Sequence, residues 1–204
     1  MINLKFASTI KGFMHDDEAL ALYQTALLAA DLSHPLLEIG SYCGKSAYFI
    51  GVAARKKNGI LFSIDHHKGS IEQQPGQEYF DPDLFDDKKG RINTLPLFEE
   101  TINKADLVDF IVPIVTNSQI AGKMWSTPLS MVFIDGGHSL EDALEDYLIW
   151  EQFIIKGGFL VIHDIFFDPE KGGQAPRIVY EKALKSGKYE KYTLEKTLGV
   201  LKRL

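Results

Sequence analysis

Sulfur is scarce in this sequence, and nothing in it is both long and apolar. One cysteine in 204 residues cannot form an internal disulfide or a multi-thiolate zinc site. No stretch approaches the roughly 20 uncharged apolar residues that span a bilayer, so no transmembrane segment is expected. The opening MINLKFASTIKGFMHDDE also lacks the apolar core of a secretion signal. Positive charge is short as well: 22 Lys+Arg against 28 Asp+Glu leave a formal net charge of −6. Such a balance gives no long-range attraction for nucleic acid or an anionic membrane. These deficits point to a cytoplasmic protein acting on a small molecule, with no nucleic-acid or membrane partner, and they leave homo-oligomerisation open.

What is present is enough apolar material for a core. At 45% hydrophobic residues the chain is not disordered, and without a linker or internal repeat it reads as a single domain over 1–204. Asp16–Leu32 spaces apolar residues on a helical period, with acidic residues in the first turn, where the helix dipole favours them. Leu36–Gly40, a helix over Ser46–Lys56 and a buried-type strand at Leu61–Asp65 make a βαβ unit. Helices then follow near Pro96–Lys104, Gln119–Trp125, Leu140–Ile155 and Ala175–Lys185, and strands at Phe110–Thr116, Met131–Asp135 and Phe159–Asp164. Tyr189–Leu194 and Gly199–Leu204 read as a closing hairpin. Between His66 and about Leu95 the chain is polar and without period, which reads as a lid or substrate wall.

In open α/β sheets, ligands bind at the carboxyl ends of the strands beside the switch in strand order. Those ends here carry Glu38-Ile39-Gly40-Ser41-Tyr42-Cys43-Gly44-Lys45-Ser46, Asp65-His66-His67, Asn117-Ser118-Gln119, Asp135-Gly136-Gly137-His138 and His163-Asp164. Gly40-x3-Gly44-Lys45-Ser46 is one residue short of a phosphate-binding P-loop, although the apolar run before Asp135 keeps an NTPase as an alternative. A dinucleotide fingerprint is weaker still, because position 42 is Tyr. The remaining reading is a glycine turn that admits a nucleoside cofactor, with a ribose-binding acid at the next strand end. Asp65 stands about 20 residues beyond Gly44, the separation that reading requires.

The stretch Leu37 to Ser46 resembles the cofactor loop of the catechol O-methyltransferase group of class I S-adenosylmethionine-dependent methyltransferases. Phe133-Ile134-Asp135-Gly136-Gly137-His138, Lys156-Gly157-Gly158 and Val161-Ile162-His163-Asp164 resemble related bacterial enzymes that include macrolide-sugar O-methyltransferases. The resemblance covers roughly residues 34–165. It implies a three-layer Rossmann-like α/β fold, with a mostly parallel seven-stranded sheet ending in an antiparallel edge hairpin. It also implies S-adenosylmethionine as cofactor and transfer of its methyl group to a hydroxyl of a small-molecule acceptor. Gly40 and Tyr42 would contact the methionine part, with Ser46 near its carboxylate and Glu38 near its amino group. Asp65 would accept the ribose hydroxyls, Ser118 and Gln119 would lie against adenine, and Asn117 would meet its exocyclic amine. Ser41, Gly44, His66 and Asp135 complete the implied cofactor set.

Asp135 and Asp164 match two magnesium ligands, and His138 stands where these groups carry a base. Ile165 replaces the Asn ligand of the catechol enzymes, which brings His163 forward as a third ligand. Imidazole suits manganese, iron or zinc better than magnesium. Deprotonating the acceptor while a hard cation holds it is what displacement from a sulfonium requires. A non-catalytic module that binds the cofactor is the other alternative.

Other residues have plainer readings. Cys43 reads as a small buried residue, His34, His66 and His67 as loop or cap residues, and Trp125 and Trp150 as helix packing. Asp81, Asp83, Asp86 and Asp87 read as a solvated acidic loop without calcium spacing. The 168–177 stretch is either a surface loop or a second acceptor wall.

Overall fold

The computed structural model describes residues 2–137 and 139–204. After a short turn α1 (Leu4–Ala7), the chain runs α2 (Asp16–Ala30), β1 (Leu36–Ile39), α3 (Lys45–Lys56) and β2 (Leu61–Ile64). A two-residue hairpin, β3 (Phe85–Asp86) and β4 (Arg91–Ile92), precedes α4 (Leu95–Lys104), β5 (Ile111–Ile114) and α5 (Ser118–Gly122). Then come β6 (Leu129–Ile134), α6 (Leu140–Trp150), β7 (Ile154–Ile162), α7 (Ala175–Lys185), β8 (Tyr189–Glu195) and β9 (Leu198–Arg203). Seven strands form one sheet in the order β5-β2-β1-β6-β7-β9-β8. The first five run parallel, whereas β9 is antiparallel to β7 and β8 antiparallel to β9. The expected fold, with its antiparallel edge hairpin, is therefore observed. Strand order turns between β1 and β6, which puts the ligand-binding crevice at their carboxyl ends.

Side-chain alternation along the strands divides the core in two. Leu36, Met131, Phe133, Phe159 and Val161 face α2, α3 and α4, while Leu37, Val132, Ile134, Leu160 and Ile162 face α6 and α7. Helix α2 meets the sheet through Ala19, Leu22, Ala26 and Ala29, all buried at helical spacing. This parity also decides the site. Residues 135 and 163 continue the odd-numbered rows of β6 and β7, whose register pairs Phe133 with Val161, so both point to the α2 side.

Segment 66–95 is not structureless. It carries short 3-10 turns at Ile71–Gln73 and Pro82–Leu84 as well as the β3–β4 hairpin. Leu84 and Ile92 are buried against Cys43, and Lys11 Nζ reaches Asp81 at 2.5 Å and Asp83 at 2.9 Å. The segment thus packs over the loop that follows β1. Its elements are too short to register as a period in the sequence.

Candidate active site

Residues 40–44 form a tight turn between β1 and α3. Gly40, Tyr42 and Gly44 all take left-handed backbone conformations, at φ 85°, 48° and 90°. At Gly40 the requirement is absolute: a Cβ there would lie 2.1 Å from the Asp135 carbonyl oxygen and 3.0 Å from Gly136 Cα. The ends of β1 and β6 therefore touch through this glycine, and the turn shares a wall with Asp135.

Asp65, at the end of β2, holds the turn in shape. Its Oδ2 accepts the backbone N–H groups of Ser41 (3.0 Å) and Tyr42 (2.8 Å), and its Oδ1 accepts that of His67 (2.7 Å). His66 lies beside it, with Nδ1 3.8 Å from Asp65 Oδ1 and accepting from Lys68 N. Ser41 Oγ is buried with no hydrogen-bond partner. Such an unsatisfied group at a ligand loop fits a polar ligand better than a closed core.

Glu38 is fully buried on β1. Its two oxygens accept from Ser63 Oγ (2.6 Å), its register neighbour on β2, and from Ser46 Oγ (2.9 Å) on α3. Burial pushes its carboxyl up to about 8, against the pull of the Ser63 and Ser46 hydroxyls. The pair Glu38 and Ser46 thus bond each other, locking the helix start to the sheet. On the far side, exposed Asn117 stands at the start of α5 without a side-chain capping bond, and Gln119 is partly exposed. Ser118 is buried and donates to Asp146 on α6, whose carboxyl burial raises to about 6.

The structure brings Asp135, His163 and Asp164 together: one ligand atom from each lies within 4.8 Å of the others. His163 Nδ1 is 3.1 Å from Asp135 Oδ1 and 3.6 Å from Asp164 Oδ1. Nε2 meets Glu18 Oε2 at 3.3 Å. Burial alone would lower the ring's pKa, but Asp135, Glu18 and Asp164 override it and raise it to about 11. Asp164 sits at φ 59°, a conformation that Asp tolerates better than most side chains. With Nε2–H given to Glu18, a neutral ring turns the lone pair of Nδ1 toward two carboxylates. Three electron-rich groups then converge on one spot, and a positive charge must lie among them, either a proton or a metal ion. One imidazole and two carboxylates suit a divalent ion of mixed nitrogen and oxygen preference. Ile165 takes no part, being buried in the α6–α7 core.

Glu18 was not legible as a site residue. It is the third residue of α2, and in sequence it is one more acid in a first turn. In the fold it is 1% exposed, with His163 Nε2, the backbone N–H of His15 and both the N–H and Oγ1 of Thr197 on its carboxylate. His138 lies outside the described residues.

The plainer readings stand where the structure describes them. Cys43 is 1% exposed and burial pushes its thiol up to about 12. His67 is buried between Thr94 and Phe98, and His34 bonds its own loop at Leu32 O. Trp125 and Trp150 pack edge to face. Asp81, Asp83 and Asp86 are paired to lysines. In the 168–177 stretch, Arg177 lies over the Phe167 ring at 5.4 Å.

Comparisons with known proteins bear on the family and the fold. A family model described as a methyltransferase domain matches residues 37–165. The solved O-methyltransferase from Bacillus cereus in complex with SAH (S-adenosylhomocysteine) is similar at TM-score 0.66 and 12% identity, over 98% of this chain and 87% of that one. The O-methyltransferase NovP gives 0.68 at 14% identity, over 92% and 79%. The calicheamicin methyltransferase CalS11 gives 0.62 at 14%, over 90% and 76%. At such identities the likeness establishes a shared fold. With the family model spanning the glycine turn, Asp65 and the acidic cluster, the chain belongs to the methyltransferase-domain family, as a class I S-adenosylmethionine-dependent methyltransferase.

Proposed function

We propose that the chain transfers the methyl group of S-adenosylmethionine to a hydroxyl oxygen of a small molecule, assisted by a divalent cation at Asp135, His163 and Asp164. One observation carries this reading: the glycine turn and the acidic cluster share a wall, because Gly40 abuts the Asp135 backbone. That the solved structures of similar fold include O-methyltransferases supports oxygen as the acceptor atom.

When bound, the cofactor supplies a methyl group on a positively charged sulfur. The turn from Gly40 to Gly44, held by Asp65, positions it, and Asn117 and Gln119 stand at the adenine side. A cation at the cluster would add positive charge that lowers the acceptor's pKa and fixes its oxygen. Asp135 and Asp164 orient the acceptor, and His138, three residues beyond Asp135, takes its proton. As the oxygen–carbon bond forms, the carbon–sulfur bond breaks and leaves a neutral thioether. The net charge of −6 supports an uncharged or small acceptor over a polyanion.

Thermal unfolding with SAH or with ATP and magnesium tests this cheaply. Saturation at a hundred times Kd adds about 2.7 kcal/mol, which raises Tm by roughly 5–10 °C in a domain of this size. Protection by ATP and magnesium alone would overturn the reading in favour of an NTPase. Release of SAH over a panel of phenols and sugar hydroxyls then separates an enzyme from a binding module.

A further inference from the structure

Glu18 comes from a helix that supplies none of the strand-end loops, yet it is sealed against the cluster. Its Oε1 accepts from Thr197 N at 2.9 Å and Thr197 Oγ1 at 2.6 Å, and its Oε2 from His15 N at 3.1 Å, besides meeting His163 Nε2. A carboxylate held by the cap of its own helix, by Thr197 and by His163 cannot swing away, and His163, 5% exposed, has no solvent to replace it. Rotating the imidazole would cost the Nε2 bond inside a buried pocket. The ring is therefore fixed with Nδ1 toward Asp135 and Asp164.

We propose that Glu18 is a positioning residue which, by accepting the Nε2–H of His163, makes the cation site an imidazole-bearing one, selective for manganese, iron or zinc over magnesium. The inference rests on the cation reading given above. Geometry favours it: the Glu18 carboxylate meets the far nitrogen of the ring at 3.3 Å, while Asp135 and Asp164 face the near one at 3.1 and 3.6 Å. A carboxylate on the distal N–H is also what fixes the tautomer and raises the basicity of a metal-bound histidine, and imidazole donors disfavour magnesium.

The test is titration of the purified full chain with Mn2+, read by the loss of the free-ion electron paramagnetic resonance signal, with Mg2+ as competitor. One Mn2+ per chain is expected, displaced by Mg2+ only in large excess. Glu18→Gln should bind Mn2+ about 10- to 100-fold more weakly, with SAH-induced thermal protection as the check on folding. Should Glu18→Gln fail to fold, spin-echo modulation on the Mn2+-loaded wild type decides instead. A directly coordinated imidazole gives nitrogen-14 modulation, which His163→Asp should abolish while making Mg2+ an effective competitor. Bound Mn2+ without that modulation would overturn His163 as a ligand together with the role of Glu18, whereas equal competition by Mg2+ in the wild type, or unchanged affinity in folded Glu18→Gln, would overturn the role of Glu18 and leave the cation reading intact. A wild type that binds SAH but no Mn2+ would overturn both.

Discussion

Asp65→Ala is the most informative single perturbation, because Asp65 joins the architecture of the turn to the proposed ribose contact. The carboxylate accepts three backbone N–H groups, from Ser41, Tyr42 and His67. Hydrogen bonds to a charged acceptor contribute about 1.5–3 kcal/mol each, and amides left without a partner cost about 1–3 kcal/mol apiece. Water can reach part of this site, since the Asp65 side chain is 15% exposed, so the loss should fall near the lower end, at about 3–4 kcal/mol. Chemical denaturation should show that loss with an unchanged m-value, since the core is untouched. Calorimetric titration with SAH should show affinity reduced by at least about 100-fold, or roughly 2.8 kcal/mol. Asp65→Asn separates the two effects: its single carbonyl oxygen can still accept from the turn, while its NH2 faces donors. We expect intermediate stability and affinity close to that of the alanine variant. Full-strength SAH binding by a folded Asp65→Ala would refute the pocket assignment.

Gly40→Ala should be worse for stability than its size suggests. The added methyl meets backbone at 2.1 Å, so β1 and β6 must part, and a loss above about 3 kcal/mol should lower Tm by roughly 6–12 °C. Asp146 gives a pH signature. Burial raises its carboxyl to about 6 from about 3.9 in the unfolded chain, so its contribution favours the fold below pH 4 and is lost as pH climbs through 6. Asp146→Asn should therefore gain on the wild type by up to about 3 kcal/mol between pH 4 and 7, measured by urea unfolding at both; a constant difference would contradict the burial argument. Ile92→Ala, at a fully buried anchor of the 66–95 segment, should cost about 2 kcal/mol or more and speed proteolysis within that segment. Unaltered cleavage would show that the segment does not depend on that anchor.

The sheet was legible because its signals are redundant. Apolar runs such as Phe159–Ile162 and glycine turns after them place strands and strand ends, and the distance from Gly44 to Asp65 follows from the length of one βαβ unit. Even the meeting of Asp135 with His163 follows from side-chain alternation once β6 and β7 are neighbours. Glu18 escaped for the converse reason. A first-turn acid answers the helix dipole wherever it stands, and only the docking angle of α2 tells a solvated one from a buried one. The β3–β4 hairpin escaped because two-residue strands carry no period. The mutual bond of Glu38 and Ser46 was hidden because sequence places each residue near the pocket but does not say whether it faces inward or toward the other.

The bond between Glu18 and Thr197 spans 179 positions of the chain. The Gly40 turn has its wall once β6 lies beside β1, whereas the carboxylate beneath His163 gains its last donors only from the connection between β8 and β9. The reaction centre, more than the cofactor turn, thus depends on both ends of the chain being in place.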